Sequence, residues 1–416
     1  MTSEQSGEGR SSTLTPTPWV LGRKLERRLT GTAAKCDPAG GGSAPARRVL
    51  VLTPRAGGGI DQMMHYLERA VGSQSTPWHF EFFVTHDKSL LRSVSSFPRR
   101  LWRFAGQCAR GGLDLCHINV SCGGSTLRKC CYAAICRKYG IPYVVHLHAG
   151  GYPEFLARSN PLVRRAIRRL FLSAARVLVL GSTWAAFVRD RIGVPVDRIA
   201  ILPNAVPARP EPAASERVQP PLIVFVGQLH RDKGVDVLLE ALGALDACSP
   251  AWQAQLVGGG DVEGYRARIG QLGLTARVQA PGWTPPEAVR SFLARASILV
   301  LPSFIENLPM ALLEGMSYAL CPVVTPVGAV PEVICHGVSG LLVPVGDSRA
   351  LADALRALLG DPALMRRLGQ AAQRAFKERY DIGNYVRRLT DQYGRAMDHG
   401  REAAARSGRG DRACAE

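Results

Sequence analysis

Short apolar runs alternating with helix-length segments constrain this chain more than any other feature. RRVLVLTP (47–54) has the pattern of a buried strand closed by turn residues, and Ile60, Met64, Leu67 and Val71 follow at helical spacing. HFEFFVT (79–85), LDLCHINV (113–120), IPYVVHLH (141–148), RVLVLGS (176–182) and RIAILPN (198–204) continue the series. Residues 203–221 then hold six prolines, a linker composition. Beyond them the alternation restarts with LIVFVG (222–227), QAQLVG (253–258), RVQAPG (277–282), SILVLPS (297–303), CPVVTP (321–326) and GLLVPV (340–345). Strands that are apolar throughout belong to parallel sheets covered on both faces. The two series predict an α/β protein of two Rossmann-like, doubly wound domains, residues 47–205 and 222–380, joined by a linker over 206–221 and facing across a cleft. Ligands of such sheets bind beyond the carboxyl ends of the strands. A helix over 381–398 closes the fold. Residues 1–46, rich in Ser, Thr, Gly and Pro, and residues 399–416 lack lasting periodicity and read as disordered tails.

The chain has 416 residues, 46% of them hydrophobic and 21% charged, which excludes a disordered protein, a collagen-like repeat and a small disulfide scaffold. Its formal charge is +18, and the excess is one-sided: 30 basic and 12 acidic residues up to position 210, then 22 of each. The first half therefore calls for an anionic partner. The eleven cysteines are odd in number and form no C-x-x-C pair. Zinc and disulfides are unsupported, and small buried hydrophobes in a reducing cytoplasm is the better reading. The N-terminus has no apolar signal region, and no run approaches the roughly 20 apolar residues of a membrane span. The expected protein is soluble or lies on a membrane surface.

Four strand-end loops carry candidate chemistry. Gly57, Gly58 and Gly59 stand between the first strand and a helix, where backbone N–H groups attract phosphate. Gln62 stands where a third fingerprint glycine would be, so a nicotinamide site is disfavoured. Gly227-Gln228-Leu229-His230-Arg231-Asp232-Lys233-Gly234 ends another strand, and Lys233 can neutralise a departing diphosphate. In the third loop Glu306 precedes Glu314 by eight residues, about 12 Å along a helix. That exceeds the roughly 5–9.5 Å between paired glycosidase carboxylates. The two suit opposite ends of one long polar ligand, whose negative middle would meet the amides of Asn307 and Leu308. In the fourth loop His146 and His148 share one strand face. One is expected to reach the cleft near the reacting hydroxyl, the other to be a satisfied structural histidine. No D-x-D occurs, so a carboxylate pair holding Mg²⁺ lacks support and no metal site is assigned.

Taken together, Glu306-x7-Glu314, LPS (301–303), the Gly227 to Gly234 turn, LVGGG (256–260), LPNAV (202–206) and VGAVPEVI…GVSGLLVP (327–344) resemble the retaining glycosyltransferases of family 4, with the GT-B fold. The resemblance covers about residues 47–398. It implies that a nucleotide diphosphate sugar is the co-substrate, with no separate cofactor. It places Glu306 on the donor hexose, Glu314 on the ribose hydroxyls, and Lys233 on the diphosphate. Gly57, Gly58, Gly59, Gln228, Gly258, Asn307 and Leu308 fall on the donor wall, and His148 lies near donor sugar and acceptor. The implied catalytic group is Glu306, Lys233 and His148, and the terminal helix is implied to pack back on the first domain. Three departures stand out: Gln228 replaces the family's usual Arg, with Arg231 as a stand-in; Leu320-Cys321 replaces a glycine before Pro322; and Ala205 replaces the Gly after Asn204.

The implied donor half is neutral, so the basic excess serves something else. Residues 90–112 carry Arg92, Arg99, Arg100, Arg103 and Arg110 among Phe97, Trp102 and Phe104, with no acid. Residues 158–176 carry Arg158, Arg164, Arg165, Arg168, Arg169 and Arg176, with an apolar stripe of Leu162, Ala166, Ile167 and Leu170. Basic amphipathic helices suit anionic lipid headgroups. The expectation is a cytoplasmic enzyme, peripheral on the inner membrane face, acting on a saccharide or lipid-linked saccharide. A nucleic-acid-binding protein is the competing class. A pI near 9.9 favours it, but no helix-turn-helix, zinc finger or aromatic platform supports it, and nucleic acid is not an expected partner. A disaccharide synthase or phosphorylase is the alternative within enzymes.

Overall fold

Twelve strands in two six-stranded sheets account for the alternation in the computed structural model, which describes residues 46–55, 57–87, 90–209, 217–245 and 250–413. The first half runs β1 (Arg47–Arg55), α1 (Gly59–Ser73), β2 (Trp78–Asp87), α2 (Leu90–Ala109), β3 (Leu115–Val120), α3 (Gly124–Lys138), β4 (Tyr143–Leu147), α4 (Tyr152–Arg158), α5 (Pro161–Leu172), β5 (Arg176–Val179), α6 (Ser182–Phe187) and β6 (Ile199–Ile201). The second runs β7 (Leu222–Val226), α7 (Val235–Gly243), β8 (Gln253–Val257), α8 (Val262–Gln271), β9 (Val278–Gly282), α9 (Pro286–Arg295), β10 (Ile298–Leu301), α10 (Met310–Ser317), β11 (Cys321–Val324), α11 (Val330–Val333), β12 (Leu341–Leu342), α12 (Ser348–Gly360), α13 (Pro362–Arg379) and α14 (Ile382–Ala413).

Every strand pairing is parallel. The orders are β2-β1-β3-β4-β5-β6 and β12-β11-β10-β7-β8-β9. In each sheet the order reverses beside the first strand, β1 or β7, which opens a crevice there. All residues of β3 and of β10 are buried, as strands covered on both faces are, and β3 buries His117 and Asn119 among its apolar residues. α1 buries Met63, Met64, Tyr66, Leu67 and Ala70 on one stripe. Each such large apolar side chain contributes about 1.5–3 kcal/mol. One buried cluster links Val49, Met63 and Leu67 to Leu308, Met310, Leu299 and Leu256, so the two sheets share packing at their seam. A second, around Leu50, Ile118, Tyr132, Val145 and Phe171, fills the other face of the first sheet. The eight described cysteines are free, and Cys108, Cys116, Cys136 and Cys321 are buried.

α14 follows the second sheet in sequence but packs on the first. Val206 N donates to Tyr380 O at 3.1 Å and Ile382 N to Val206 O at 3.0 Å where the chain crosses over. Tyr393 then reaches His117 Nδ1 at 2.6 Å and packs edge-on against Trp78. The helix runs on to Ala413, past the boundary at 399 where the sequence reading placed a tail. Its extension includes Glu402, Ala403, Ala404, Ala405 and Arg406, strong helix formers with no proline to stop them. The expected tail over 1–46 lies outside the described residues except for Ala46, as do residues 210–216 of the linker.

Candidate active site

Two adjoining cavities, about 660 and 420 Å³, occupy the gap between the carboxyl ends of the sheets. Gly57, Gly58 and Gly59 line both from the first half. Gly58 is the N-cap of α1, and no side chain of its own caps the helix. Instead Gly57 N donates to Asp61 Oδ2 at 2.9 Å, so a carboxylate sits at the positive end of the helix.

Facing it, the loops after β7, β8 and β10 form the second wall. Gly258 approaches the β7 loop so closely that a Cβ there would lie 1.7 Å from Gly227 O, and its φ is +152°. The LVGGG glycine thus lets two strand-end loops touch. Phe304 N donates to Asp232 O at 2.9 Å, tying the Lys233 turn to the Glu306 loop. Lys233 Nζ donates to Glu306 Oε1 at 2.6 Å, and Ser303 Oγ to the same oxygen at 3.0 Å. Glu306 is 14% exposed at its side chain and Lys233 29%. Asn307 Nδ2 and Asn204 Nδ2 reach across the seam to Leu147 O (3.4 Å) and Leu308 O (3.0 Å). A Cβ on Gly150 would come within 2.7 Å of the Glu306 backbone, so glycine permits this close approach.

Three expectations are corrected here. Arg231 does not stand in for the Arg missing at 228: its side chain is 89% exposed, its nearest acid is Asp236 at 4.0 Å, and it lines neither cavity. The 3₁₀ turn at Arg231–Lys233 turns only Lys233 inward. Gln228 does line the larger cavity. Second, Glu306 does not open a helix. Pro309 is the N-cap and α10 begins at Met310, so a helical rise of eight residues does not apply to the two glutamates. They still serve different ends, Glu306 on the larger cavity and Glu314 on the smaller. Third, of the two histidines of HLH one lines the cleft as expected, but the other is not a well-satisfied structural histidine. His148 lines the larger cavity, with Nε2 2.8 Å from Asn119 Oδ1, while Asn119 Nδ2 donates to Leu52 O. His146 lies behind it, ring centroids 4.1 Å apart, with no well-formed hydrogen bond to either nitrogen among the described residues and the Leu202 backbone beside it. Burial among apolar strands holds both neutral: His148 is pushed down to about 4 and His146 well below the usual imidazole range.

Glu314 is half-buried on α10 and accepts a hydrogen bond from Tyr66 of α1 at 2.7 Å. Burial raises its pKa, while Tyr66, Arg209 and Arg290 pull it down. Tyr66, Arg209 and Arg290 line the smaller cavity with Glu314 and were not singled out from sequence. Tyr66 falls on the apolar stripe of α1, and Arg209 lies in the proline-rich stretch, so neither carries a local signal. Asn119 and Lys129, both on the larger cavity, were likewise missed.

The basic segments lie elsewhere. On α2, Arg99, Trp102 and Arg103 are exposed, Trp102 at 77%. Arg100 belongs to internal packing instead: Nη1 donates to Val84 O at 2.8 Å and Nε to Ser96 Oγ at 3.1 Å. Arg164, Arg165, Arg168 and Arg169 line a separate surface groove of about 1180 Å³ beside α5. Of the expected apolar stripe there, Ile167 and Leu170 are buried but Leu162 is 79% exposed.

The family model described as glycosyl transferase 4-like domain matches residues 39–205, and that described as glycosyl transferases group 1 matches residues 210–375. The chain belongs to the group 1 glycosyltransferase family. Its two sheets have the GT-B arrangement, and it is a glycosyltransferase. It is 27% identical over 273 residues to an alpha-D-kanosaminyltransferase of Streptomyces kanamyceticus, 61% of this chain and 71% of that one. It is also 27% identical over 276 residues to WcaL of Escherichia coli (strain K12), named for colanic acid biosynthesis, 58% of this chain and 68% of that one. The crystal structure of Anabaena HepE in complex with UDP-glucose superposes with TM-score 0.67 at 18% identity, covering 83% of this chain and 99% of that one.

Proposed function

We propose that this glycosyltransferase moves a sugar from a nucleoside diphosphate sugar to a saccharide hydroxyl, retaining the anomeric configuration and using no metal. The observation that carries this reading is the Lys233–Glu306 pair, 2.6 Å apart on one wall of a cleft whose other wall is the Gly57–Gly59 loop and the start of α1. A diphosphate between them meets an ammonium and helix amides, so charge growing on the leaving group is stabilised most in the transition state. Glu306 then offers its oxygens to the sugar hydroxyls, and Glu314 and Tyr66 to the nucleoside in the smaller cavity.

The bases present support retention. Asp61 and Glu306 are the carboxylates lining the larger cavity among the described residues. The first is tied to Gly57 and the second to Lys233. His148, pushed down to about 4, is a weak base but a well-placed hydrogen-bond partner. That leaves the departing phosphate to take the acceptor proton on the face it leaves. Cationic charge from Lys233 and the helix start supports the metal-free reading.

The acceptor in this reading is lipid-linked, at the cytoplasmic face of a membrane, in surface polysaccharide or glycolipid synthesis. It is supported by exposed Trp102, Arg99 and Arg103 on α2 and by the arginine groove at α5. WcaL's name points the same way. Among the described residues no helix is long and apolar enough to cross a membrane. A thermal-shift screen of nucleotide sugars, UDP sugars first, followed by transfer to lipid-linked acceptors, tests the reading. Product of retained configuration, formed equally well with EDTA, supports it. Inverted product or an absolute metal requirement refutes it.

A further inference from the structure

One wall of the larger cavity carries a buried lysine to which the donor reading assigns no role. The buried stripe of α3 comprises Thr126, Lys129, Tyr132, Ala133 and Cys136, so a lysine stands among core side chains. Lys129 is 1% exposed and lines the cavity from the first half. Its Nζ donates to Thr85 Oγ1 at 2.6 Å, and the Thr85 hydroxyl donates to Thr53 O at 3.1 Å. The Tyr132 ring centroid is 5.7 Å away. No carboxylate among the described residues forms an ion pair with Lys129. Lysines usually place their charge in water at the end of an apolar stem. Here the amine is held inside, where burial and then Arg128 lower its pKa to about 7, so an anion beside it would favour the charged form. A buried ammonium costs several kcal/mol unless an opposite charge meets it.

The surroundings favour an anion. Lys129 lies just beyond the first turn of α3, which starts at Gly124. That turn opens at Gly123 (φ 65°), has no side-chain cap and contains no acidic residue. Ser121 and Ser125 line the same cavity. A helix start adds partial positive charge to that of the lysine.

We propose that Lys129 and the first turn of α3 bind an anionic group, a carboxylate or a phosphate, on the acceptor saccharide, so that the enzyme selects acidic acceptors. The inference rests on the reading of this cleft as a glycosyltransferase site, with the acceptor on the first-half wall.

Calorimetric titration of the full chain with methyl glucoside, methyl glucuronide and glucose 6-phosphate tests it, each with and without the nucleotide sugar that gives the largest thermal shift. At least one acidic probe should bind about tenfold more tightly than methyl glucoside, and no less tightly with the nucleotide sugar present. The stronger probe identifies carboxylate or phosphate as the group selected. In Lys129→Met the preference should fall to within about twofold, while the nucleotide-sugar shift persists. The variant's melting temperature should hold or rise, because an apolar side chain replaces an unpaired buried charge; a merely structural lysine would lower it. Equal binding of all three probes by the wild type overturns the proposal without any variant. So does displacement of the acidic probes by nucleotide sugar, or a preference that survives Lys129→Met. If no nucleotide sugar shifts the protein at all, it is the underlying glycosyltransferase reading of the cleft that fails.

Discussion

Replacing Lys233 by Met separates the catalytic role of the Lys233–Glu306 pair from its structural one. In the structure Lys233 makes a 2.6 Å ion pair with a carboxylate that is 14% exposed, and Ser303 Oγ is the other donor to that oxygen. Exposed pairs contribute about 0–1 kcal/mol, and breaking a fully buried one costs about 3–5 kcal/mol. With Lys233 29% exposed, the substitution should destabilise the fold by about 1–2 kcal/mol. That is a melting shift of only a few degrees. The catalytic loss should be larger. A preorganised donor aimed at developing charge is worth about 10²–10³ in kcat. Lys233→Met/Glu306→Gln removes both charges, so it should regain most of the stability while staying as inactive as the single variant. Initial rates at saturating donor, with melting curves on the same preparations, give both numbers. A rate within about threefold of wild type, or activity that returns with stability in the double variant, refutes the role assigned to Lys233.

Tyr66→Phe removes the hydrogen bond to half-buried Glu314, and bonds to charged groups contribute about 1.5–3 kcal/mol. Donor KM should rise at least about tenfold with kcat little changed; an unchanged KM detaches Glu314 from the nucleoside. His117, His146 and His148 are neutral in the fold, with His117 pushed down to about 3 and His148 to about 4 by burial. Unfolded they titrate near 6.5, so the unfolded chain binds more protons. The stability they contribute is complete above about pH 7 and is lost as the pH falls through the folded values, by up to about 1.4 kcal/mol per pH unit for each. Urea unfolding at a series of pH values checks this, and stability that stays flat down to pH 5 contradicts the burial of these rings. Vesicle flotation of Trp102→Ala/Arg164→Ala/Arg168→Ala should show weaker binding to anionic lipid than wild type, by about 1 kcal/mol per arginine; equal flotation removes the membrane role of α2 and α5.

The sheets were legible because their strands are buried on both faces and therefore mostly apolar, as in β10, with His117 and Asn119 of β3 the buried polar exceptions. The loops carrying Gly57, Lys233, Glu306 and His148 were legible because they end those strands. What the sequence hid was tertiary. Tyr66 occupies a core-facing stripe position, and only the α1–α10 seam brings it to Glu314. Lys129 also sits on a stripe, and nothing local shows that its neighbours leave it without a counter-ion. Arg231 and Lys233 are two residues apart with the same charge. A left-handed Gly234 and a hydrogen bond to the Glu306 loop turn one inward and leave the other in solvent. The far end of α14 was missed for the opposite reason: its alanine and arginine residues have high helix propensity but none of the apolar periodicity that marks a packed helix.

The most direct test of the account is a crystal structure of the protein with an intact nucleotide sugar. The account predicts a diphosphate oxygen within hydrogen-bond distance of Lys233 Nζ, the phosphates over the Gly57–Gly59 loop, and the ribose at Glu314. A nucleotide seated away from that gap, or phosphates held by a divalent ion with Lys233 still bound to Glu306, would contradict it.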